Sequence, residues 1–321
     1  MLSGIQLNKS AAAIVQQCIA NADRLRIATS EIAAAKVLDF GVETLGGLEA
    51  GLQLARICMS DMASISLEAP SSVIPLPQVV VRTDHPLAAC LHSQYAGWKI
   101  ATEDYFAMGS GPMRAAAATE PLFTEFPAEK EVSSGNAPTI CVGVLEASTL
   151  PTDAAVAAIK SGLASSAELI LAVAPTSSQA GNLQVVARSV ETAMHKLHEL
   201  HFPVQSVVSA AGAAPLPPVA KNDLQGIGRT NDSILYGSTV NLWVDCDDET
   251  IQAAGPKTPS NSSPSHGEQF LSLFKKANHD FYAMDKDLFS PALVIFHSVK
   301  TGNSYQFGTI VPELLHQSFA M

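Results

Sequence analysis

The sequence has few charged residues and no long apolar run. Charged side chains make up 15% of its 321 residues against 47% hydrophobic ones, and the formal net charge is −11 with only 19 lysines and arginines. This composition predicts a folded chain with a sizeable core, and the acidic balance argues against a general nucleic-acid-binding protein. No apolar run reaches the length of a membrane span. Polar residues directly follow the apolar stretch 11–15, so we expect no signal peptide and a cytoplasmic protein.

Short motifs of several enzyme classes are also missing. The five cysteines are scattered without a C-x-x-C pair, which predicts buried free thiols. The chain lacks the G-x-x-x-x-G-K-[ST] and G-x-G-x-x-G motifs that bind nucleotide phosphates. It also lacks the G-x-S-x-G turn that presents a nucleophilic serine. Nucleotide-binding folds and serine hydrolases therefore receive no support.

One stretch, residues 82–114, concentrates features that are rare elsewhere in the chain. It holds one of the two tryptophans and two of the five tyrosines. The apolar run 78–81 leads into it and predicts a buried strand. That strand ends before Pro86, because the residue before a proline is pushed out of helical space. We therefore expect the rest of the chain to be organised around this stretch.

A glycine turn at the end of this stretch predicts the start of a helix. Ser110 suits the N-cap position, Pro112 suits the first turn, and the alanines 115–118 continue the helix. Free N–H groups there, beside Arg114, would bind an anion or a carbonyl oxygen. An ordinary loop-to-helix junction gives the same pattern, since Gly-Ser-Gly turns are common.

Apolar periodicity predicts alternating helices and strands along the chain. Helices are predicted at 10–26, 44–59, 152–163, 178–200, 269–276 and 311–319. Strands are predicted at 35–40, 64–68, 139–145, 168–173, 204–209, 239–244, 292–298 and 305–309, the last two as a hairpin. Loops are predicted at 125–136, 211–218, 226–232 and 250–267. We expect the last loop to be a flexible surface insertion that the protein can lose without loss of activity.

This mixture of elements predicts an α+β fold. We expect two packed mixed α/β domains with the polar loops gathered between them. The first would comprise residues 1–120 plus 280–321, and the second residues 121–279, with the change of domain in the polar segment 125–136.

Arg188 and Glu191 are the first candidates for chemistry. They are three residues apart on the predicted helix 178–200, so both side chains project from one face. A solvated surface pair has the same spacing and stabilises a protein little. The apolar neighbours 185–187 and Val190 distinguish this pair from an ordinary surface pair.

Histidines on the same predicted helix offer a competing interpretation. Glu191, His195 and His198 follow at i, i+4 and i+7, and a carboxylate with two histidines can bind zinc and activate water. Exposed histidines at the end of a helix are the simpler alternative. The H-E-x-x-H signature of many zinc hydrolases is absent.

Two further groups of residues suit a flat, polar ring. Gln94, Tyr95 and Trp98 would pack on its face, although an aromatic side chain there is equally typical of a core. The second group would match donor and acceptor atoms on the ring edge, although a capped turn has the same composition. Its members are Arg229, Asn231 and Asp232.

The central motif resembles a known family. D-H-P-L-A-A-C-L-x-S-Q-Y-A-G-W-x-I, followed by F-A-M-G-S-G-P-M-R-A-A-A, closely resembles the methenyltetrahydromethanopterin cyclohydrolases. The stretches 188–191 and 228–237 resemble the same family. The resemblance extends from about residue 40 to the C-terminus.

The resemblance implies a reaction and its residues. The reaction is the reversible hydrolysis of 5,10-methenyltetrahydromethanopterin to 5-formyltetrahydromethanopterin in one-carbon metabolism. Glu191 corresponds to the catalytic carboxylate and Arg188 to the arginine beside it. One carboxylate can take a proton from the attacking water and then protonate the leaving nitrogen, while the arginine keeps it ionised. The residues predicted to bind the substrate are Asp84, Gln94, Tyr95, Trp98, Gly109, Ser110, Gly111, Arg114, Arg229, Asn231 and Asp232.

The resemblance also implies a homotrimer that acts on a small-molecule pterin, with a ligand cleft between the two domains. Because the sequence offers no convincing set of metal ligands, we expect no metal and no tightly bound cofactor. The modest charge content favours formaldehyde oxidation in a bacterium over methanogenesis. Two other functions stay open. One is a zinc-dependent amidohydrolase that acts on a related cyclic amidine, and the other is a pterin-binding protein without catalysis.

Overall fold

The chain folds into two compact units. The computed structural model describes residues 6–71, 73–95, 97–128, 139–163 and 168–321. The first unit comprises Met1–Ala63 and Ala88–Gln184, and the second comprises Ser64–Leu87 and Val185–Met321. Each unit is built on one six-stranded sheet, so the predicted α+β class is confirmed. The predicted ligand cleft between the domains stays a prediction.

The strands form two mixed sheets. In chain order they are β1 (Ala28–Ile32), β2 (Ala35–Asp39), β3 (Ser64–Glu68), β4 (Gln78–Thr83), β5 (Trp98–Ala101), β6 (Phe106–Ser110), β7 (Ile140–Glu146), β8 (Glu168–Ala174), β9 (Val207–Pro215), β10 (Thr239–Val244), β11 (Leu293–Ser298) and β12 (Ser304–Gly308). The first sheet has the order β1-β2-β8-β7-β6-β5 and the second β12-β11-β10-β9-β4-β3.

Helices pack against these sheets. In chain order they are α1 (Leu7–Ala20), α2 (Ala22–Leu25), α3 (Leu48–Cys58), α4 (Met113–Ala117), α5 (Pro121–Glu125), α6 (Asp153–Gly162), α7 (Gln179–Val186), α8 (Ser189–Glu199), α9 (Asp223–Gly237), α10 (Asp248–Ala254), α11 (Phe270–Lys276) and α12 (Pro312–Phe319). A π-helix covers Leu87–Gln94. In the described part of the chain, no helix is long and apolar enough to cross a membrane.

The bounds of the units differ from the predicted division at residues 120 and 280. Strand pairing explains the difference. β11 pairs in parallel with β10, and β12 pairs with β11, so the C-terminal residues belong to the same sheet as β9 and β10. β4 pairs with β9 and joins that sheet as well. The segment 125–136, expected to mark the change of domain, lies largely outside the described residues.

The first sheet is covered by helices on both faces. On one face, α1 and α3 pack against Leu38 of β2 and Val142 of β7. On the other face, α6 packs against Val37 and Cys141 of the same two strands. Neighbouring residues of a strand point to opposite faces, so the continuous apolar runs of β2, β7 and β8 are typical of a parallel sheet buried on both faces. These strands form the core of the first unit.

The second sheet alternates between buried and accessible residues. Along β10, Val240 and Leu242 are buried while Asn241 is half-buried and Trp243 is exposed. This alternation is typical of a sheet packed on one face. Helix α8 packs on β9 and β10, and α9 packs on β9, α11 and α12. The predicted hairpin of β11 and β12 is confirmed by their antiparallel pairing.

The segment 250–267 is an ordered part of the second unit. It contains the end of α10 and short 3₁₀ turns at Gly255–Lys257 and Ser260–Ser262. Thr258 and Ser260 are fully buried, and the Ser260 hydroxyl donates a 2.5 Å hydrogen bond to the carbonyl of Leu235 in α9. The prediction of a flexible surface insertion is therefore wrong. Serine and proline content indicated a loop, but these hydroxyls pair with buried carbonyls.

Candidate active site

Arg188 and Glu191 do not lie on one continuous helix. The predicted helix 178–200 is divided into α7 and α8, and Arg188 lies in the break with φ −83° and ψ 4°. The prediction of a single helix is wrong. Neither glycine nor proline marks the break, which lies close to the passage of the chain from the first unit to the second at residues 184–185. Local helix propensity alone therefore does not account for the break.

Glu191 lies in the first turn of α8 and is buried, with 6% of its surface exposed. Arg188, directly before the helix, is equally buried, and Ser189 and Val190 are fully buried. Arginine and glutamate side chains are rarely buried to this extent unless they are paired or functional. The N–H groups at the start of a helix carry partial positive charge, which stabilises a carboxylate in the first turn. This arrangement differs from the solvated surface pair that spacing alone allows.

Arg114 is buried in the first unit and bound on several sides. Its Nε donates to Glu120 Oε1 at 2.8 Å, and a second guanidinium nitrogen pairs with Glu120 Oε2. The remaining terminal nitrogen donates to the carbonyls of Leu91 at 3.2 Å and Ser93 at 3.4 Å. Those carbonyls lie at the end of the π-helix, where a cation satisfies free acceptors. This geometry favours a structural role for Arg114, and its predicted contact with the substrate stays a prediction.

The glycine turn before Arg114 differs from the predicted helix start. Ser110 is the last residue of β6, and α4 begins at Met113 with only five residues, so the predicted N-cap role of Ser110 is wrong. Gly111 between them has φ +87°, a conformation that favours glycine. Its amide donates to the Ser93 carbonyl at 2.8 Å. This hydrogen bond holds the turn after β6 against the end of the π-helix.

A buried polar cluster surrounds the end of the π-helix. The Cys58 Sγ lies 3.3 Å from Ser110 Oγ and 3.4 Å from Gln184 Nε2, and its thiol also contacts the Gln94 carbonyl at 3.9 Å. Cys58 thus links Ser110 to the backbone of Gln94, two of the predicted substrate-binding residues, and their contact with the substrate stays a prediction. Cys58 and Gln184 were missed by sequence reasoning. A polar residue within the apolar run 183–187 was the only signal for Gln184.

Tyr95 and Trp98 have different surroundings. The half-buried Tyr95 ring lies 4.8 Å from the guanidinium carbon of Arg114, a cation–π contact. The Trp98 indole packs against α6, because an ideal Cβ on Gly162 would lie 2.6 Å from its Cζ2. Trp98 also pairs with Gly109 across β5 and β6. Core packing, the alternative that the sequence left open, is what the surroundings of Trp98 favour.

Three predicted substrate-binding residues lie inside α9 and not in a loop. Arg229 donates to the carbonyls of Pro218 and Val219 at 3.1 and 3.3 Å. Asn231 donates to the carbonyl of Ile227 at 2.8 Å within its own helix. The predicted loop 226–232 is therefore wrong, because its polar side chains bond to backbone carbonyls and do not interrupt the helix.

Asp232 connects α9 to two other helices. It is 1% exposed, and it accepts hydrogen bonds from the Phe270 amide at 2.8 Å and the Ser318 hydroxyl at 2.6 Å. Burial raises the pKa of Asp232 from 3.8 to about 7, and the two hydrogen bonds oppose this change. These partners occupy both carboxylate oxygens. The geometry favours a structural role, and contact with the substrate stays a prediction.

Asp84 follows β4 in the second unit. Its Oδ1 accepts a 2.7 Å hydrogen bond from the hydroxyl of Ser209 on β9, and the residue is exposed. The bond fixes the carboxylate at the edge of the accessible sheet face. Of the two aspartates predicted to bind the substrate, Asp84 is exposed to solvent and Asp232 is buried.

The histidines of α8 are not arranged as metal ligands. His195 Nε2 lies 3.9 Å from Glu199, one turn further along the helix. Within residues 6–71, 73–95, 97–128, 139–163 and 168–321, no group of three His, Cys, Asp or Glu side chains is placed to hold a metal ion. The zinc hypothesis for Glu191, His195 and His198 receives no geometric support.

The fold and the candidate site define an α+β protein of two mixed-sheet units with a buried arginine and carboxylate at the start of a helix. The model of the cyclohydrolase (MCH) family matches residues 6–319. The chain therefore belongs to the cyclohydrolase family, which confirms the resemblance of the central motif.

Relatives named methenyltetrahydromethanopterin cyclohydrolase match almost the whole chain. A methenyltetrahydromethanopterin cyclohydrolase of Rhodopirellula baltica is 44% identical over 320 residues, which cover 98% of this chain and 95% of the relative. One of Methylobacterium nodulans is 40% identical over 321 residues, covering 98% and 97%. One of Methanococcoides burtonii is 35% identical over 322 residues, covering 99% of both chains.

Proposed function

We propose that the protein hydrolyses 5,10-methenyltetrahydromethanopterin to 5-formyltetrahydromethanopterin, reversibly. The observation that supports this most strongly is the match over nearly the full length to relatives that carry this enzyme name, at 35–44% identity. The family model, which spans residues 6–319, agrees with it. The proposal thus rests on the whole chain and not on one short motif.

The chemistry requires one group that moves protons. Water attacks the bridging carbon of the cationic substrate, and Glu191 accepts a proton from that water. The bond from the bridging carbon to N10 then breaks as the formyl carbonyl forms on N5. Glu191 gives its proton to N10, and the proton of the hydroxyl intermediate leaves to solvent. One carboxylate therefore serves two transfers, the one from the attacking water and the one to N10, while solvent takes the remaining proton.

Two features of the structure support this role for Glu191. The residue is buried, with 6% of its surface exposed, and electrostatic interactions strengthen where water is excluded. It also lies in the first turn of α8, where the partial positive charge of the helix N–H groups attracts a carboxylate. The negative charge complements the cationic substrate. Arg188, directly before the helix, would hold the carboxylate in place.

The test is turnover of the methenyl substrate, followed by the loss of its methenyl absorbance. Glu191→Gln keeps the shape of the side chain but removes the base, so we expect kcat to fall ~10²–10⁴-fold. Glu199→Gln is the matched control, because Glu199 is an exposed carboxylate at the other end of the same helix. We expect that variant to keep the wild-type rate.

Two results would contradict the proposal. Pterin binding without turnover by the wild-type protein would indicate a binding protein. A folded Glu191→Gln variant within a few-fold of the wild-type rate would assign the proton transfers to another residue, and circular dichroism establishes that it is folded.

We further propose a homotrimer without a metal or a tightly bound cofactor, acting in formaldehyde oxidation. The resemblance of the central motif supports the assembly. The lack of an H-E-x-x-H signature and of paired cysteines in the sequence supports the metal-free chemistry. Light scattering coupled to size exclusion tests the assembly. Activity after exhaustive chelation, with metal analysis of the same sample, tests the chemistry. Loss of activity that zinc restores would return Glu191, His195 and His198 to consideration as ligands.

A further inference from the structure

The first turn of α8 packs on β9 at Gly212. An ideal Cβ on Gly212 would lie 2.5 Å from Ser189 Oγ and 2.9 Å from Val190 Cγ2. Atoms in good van der Waals contact are ~3.5–4.0 Å apart. The backbone of Gly212 is not in the left-handed region, so the constraint is space and not conformation. A side chain at this position therefore forces Ser189 and Val190, in the first turn of α8, to move or turn.

We infer that Gly212 is a positioning residue for the reaction, because its lack of a side chain sets where the first turn of α8, and with it Glu191, lies. This inference rests on the proposed role of Glu191. Ser189 and Val190 are the two residues directly before Glu191, and both are fully buried. Displacement of their backbone therefore carries Glu191 with it.

The clash has few ways to relax. Val190 is β-branched, so one side-chain rotamer is strongly preferred in a helix. Ser189 is fully buried, and protein interiors are close-packed, so its hydroxyl has little room to turn. Restoring ordinary contacts from 2.5 and 2.9 Å requires a shift on the order of 0.5–1 Å, and a misplacement of about 1 Å costs a catalytic group ~10²-fold in rate.

The rest of α8 restricts a compensating movement. The amide and the hydroxyl of Thr192 both donate to the Arg188 carbonyl at 2.8 Å, which fixes the start of the helix. Further along, the buried Lys196 ammonium pairs with the carboxylate of Asp287 and donates to its carbonyl at 3.3 Å. The bonds within the first turn hold it together, and Lys196 anchors the helix further along, so the clash displaces the first turn as a unit.

The experiment compares two glycine-to-alanine variants. An ideal Cβ on Gly237 would lie 2.8 Å from Pro215 Cγ, also on β9, and 2.8 Å from Leu315 Cδ1, but it meets no atom of α8 among its nearest contacts. Both substitutions introduce a similar clash in the same unit. We expect both to lower the melting temperature, and only Gly212→Ala to lower kcat, by ~10–100-fold, with a smaller change in KM.

A second substitution tests whether the clash is the cause. Ser189→Ala removes the atom that lies closest to the Gly212 position, which leaves Cβ at 3.4 Å. In the Gly212→Ala background we expect it to raise kcat several-fold, and Ser189→Ala alone completes the double-mutant cycle. If Gly212→Ala does not fold, Gly212→Ala/Val190→Ala is compared with Val190→Ala alone. A lower kcat is then expected from the remaining contact with Ser189 Oγ.

The outcomes separate this inference from the proposed function. Equal effects of Gly212→Ala and Gly237→Ala on kcat, or no recovery with Ser189→Ala, would overturn the positioning role. A Gly212→Ala/Val190→Ala variant with the same kcat as Val190→Ala would also overturn the positioning role. An inactive Glu191→Gln together with a wild-type kcat in Gly212→Ala would overturn this inference alone. A fully active Glu191→Gln would overturn the proposed function first and this inference with it.

Discussion

Asp232→Asn is expected to stabilise the protein, and to do so only above acidic pH. Because burial raises the pKa of Asp232 from 3.8 to about 7, the folded state keeps a proton that the unfolded state has already lost. Each unit of pKa corresponds to 1.36 kcal/mol. Ionisation of Asp232 in the folded protein therefore costs ~4 kcal/mol relative to the unfolded chain.

The sign follows from the proton count. Between pH 3.8 and about 7 the folded state binds more protons at Asp232 than the unfolded state, so this residue makes the free energy of unfolding fall as pH rises. Above that range the loss is complete. Asparagine does not titrate, so the variant lacks this slope.

Asparagine is also expected to keep both hydrogen bonds. Its Oδ1 accepts from the Phe270 amide as Asp232 Oδ1 does. Its Nδ2 donates to the Ser318 hydroxyl, which reverses the direction of the present bond. The variant should therefore unfold with nearly the wild-type free energy at pH 4 and be more stable by up to ~4 kcal/mol at pH 8.

The assay is urea denaturation of both proteins at several values of pH from 4 to 8. Asp248→Asn is the control. Hydrogen bonds from Asn303, Tyr305 and Thr301 lower the pKa of Asp248 from 3.8, so this variant should be less stable than the wild type, with little dependence on pH over the range of the assay. A constant difference between Asp232→Asn and the wild type across this range would refute the reasoning. A large rise in KM in the Asp232→Asn variant would instead support the predicted contact of Asp232 with the substrate.

Three further changes test the structure. Glu120→Ala is expected to destabilise the protein by ~3 kcal/mol, because it leaves the Arg114 guanidinium buried without its carboxylate; an unchanged urea midpoint would contradict this. Ser260→Ala should cost ~1 kcal/mol through the lost bond to Leu235, and Ser262→Ala, at an exposed bond, is its control. Burial lowers the pKa of His92 to about 4, so ~3 kcal/mol should be lost as pH falls from 6.5 to 4. That loss should be absent in His92→Gln, and an equal loss there would contradict the assignment.

Much of the secondary structure is determined by local sequence. The strands predicted at 64–68 and 239–244 coincide with β3 and β10, because apolar β-branched residues bounded by polar turns favour an extended chain whatever surrounds it. The hairpin of β11 and β12 follows from two such runs around a glycine. The length of the central motif also determined the family, because a long exact pattern is specific without any geometry.

The sequence by itself placed most helices and strands, the family and the pair Arg188 and Glu191 as candidates. Only the tertiary structure decided that α7 and α8 are separate and that 250–267 is packed. It also decided that Arg114 and Asp232 have partners inside the protein. The physical reason is that polarity is a property of one residue, whereas a hydrogen-bond partner is supplied by residues distant in the chain. A buried arginine and a ligand-binding arginine therefore look the same in the sequence, and only the fold brings Glu120 to one of them.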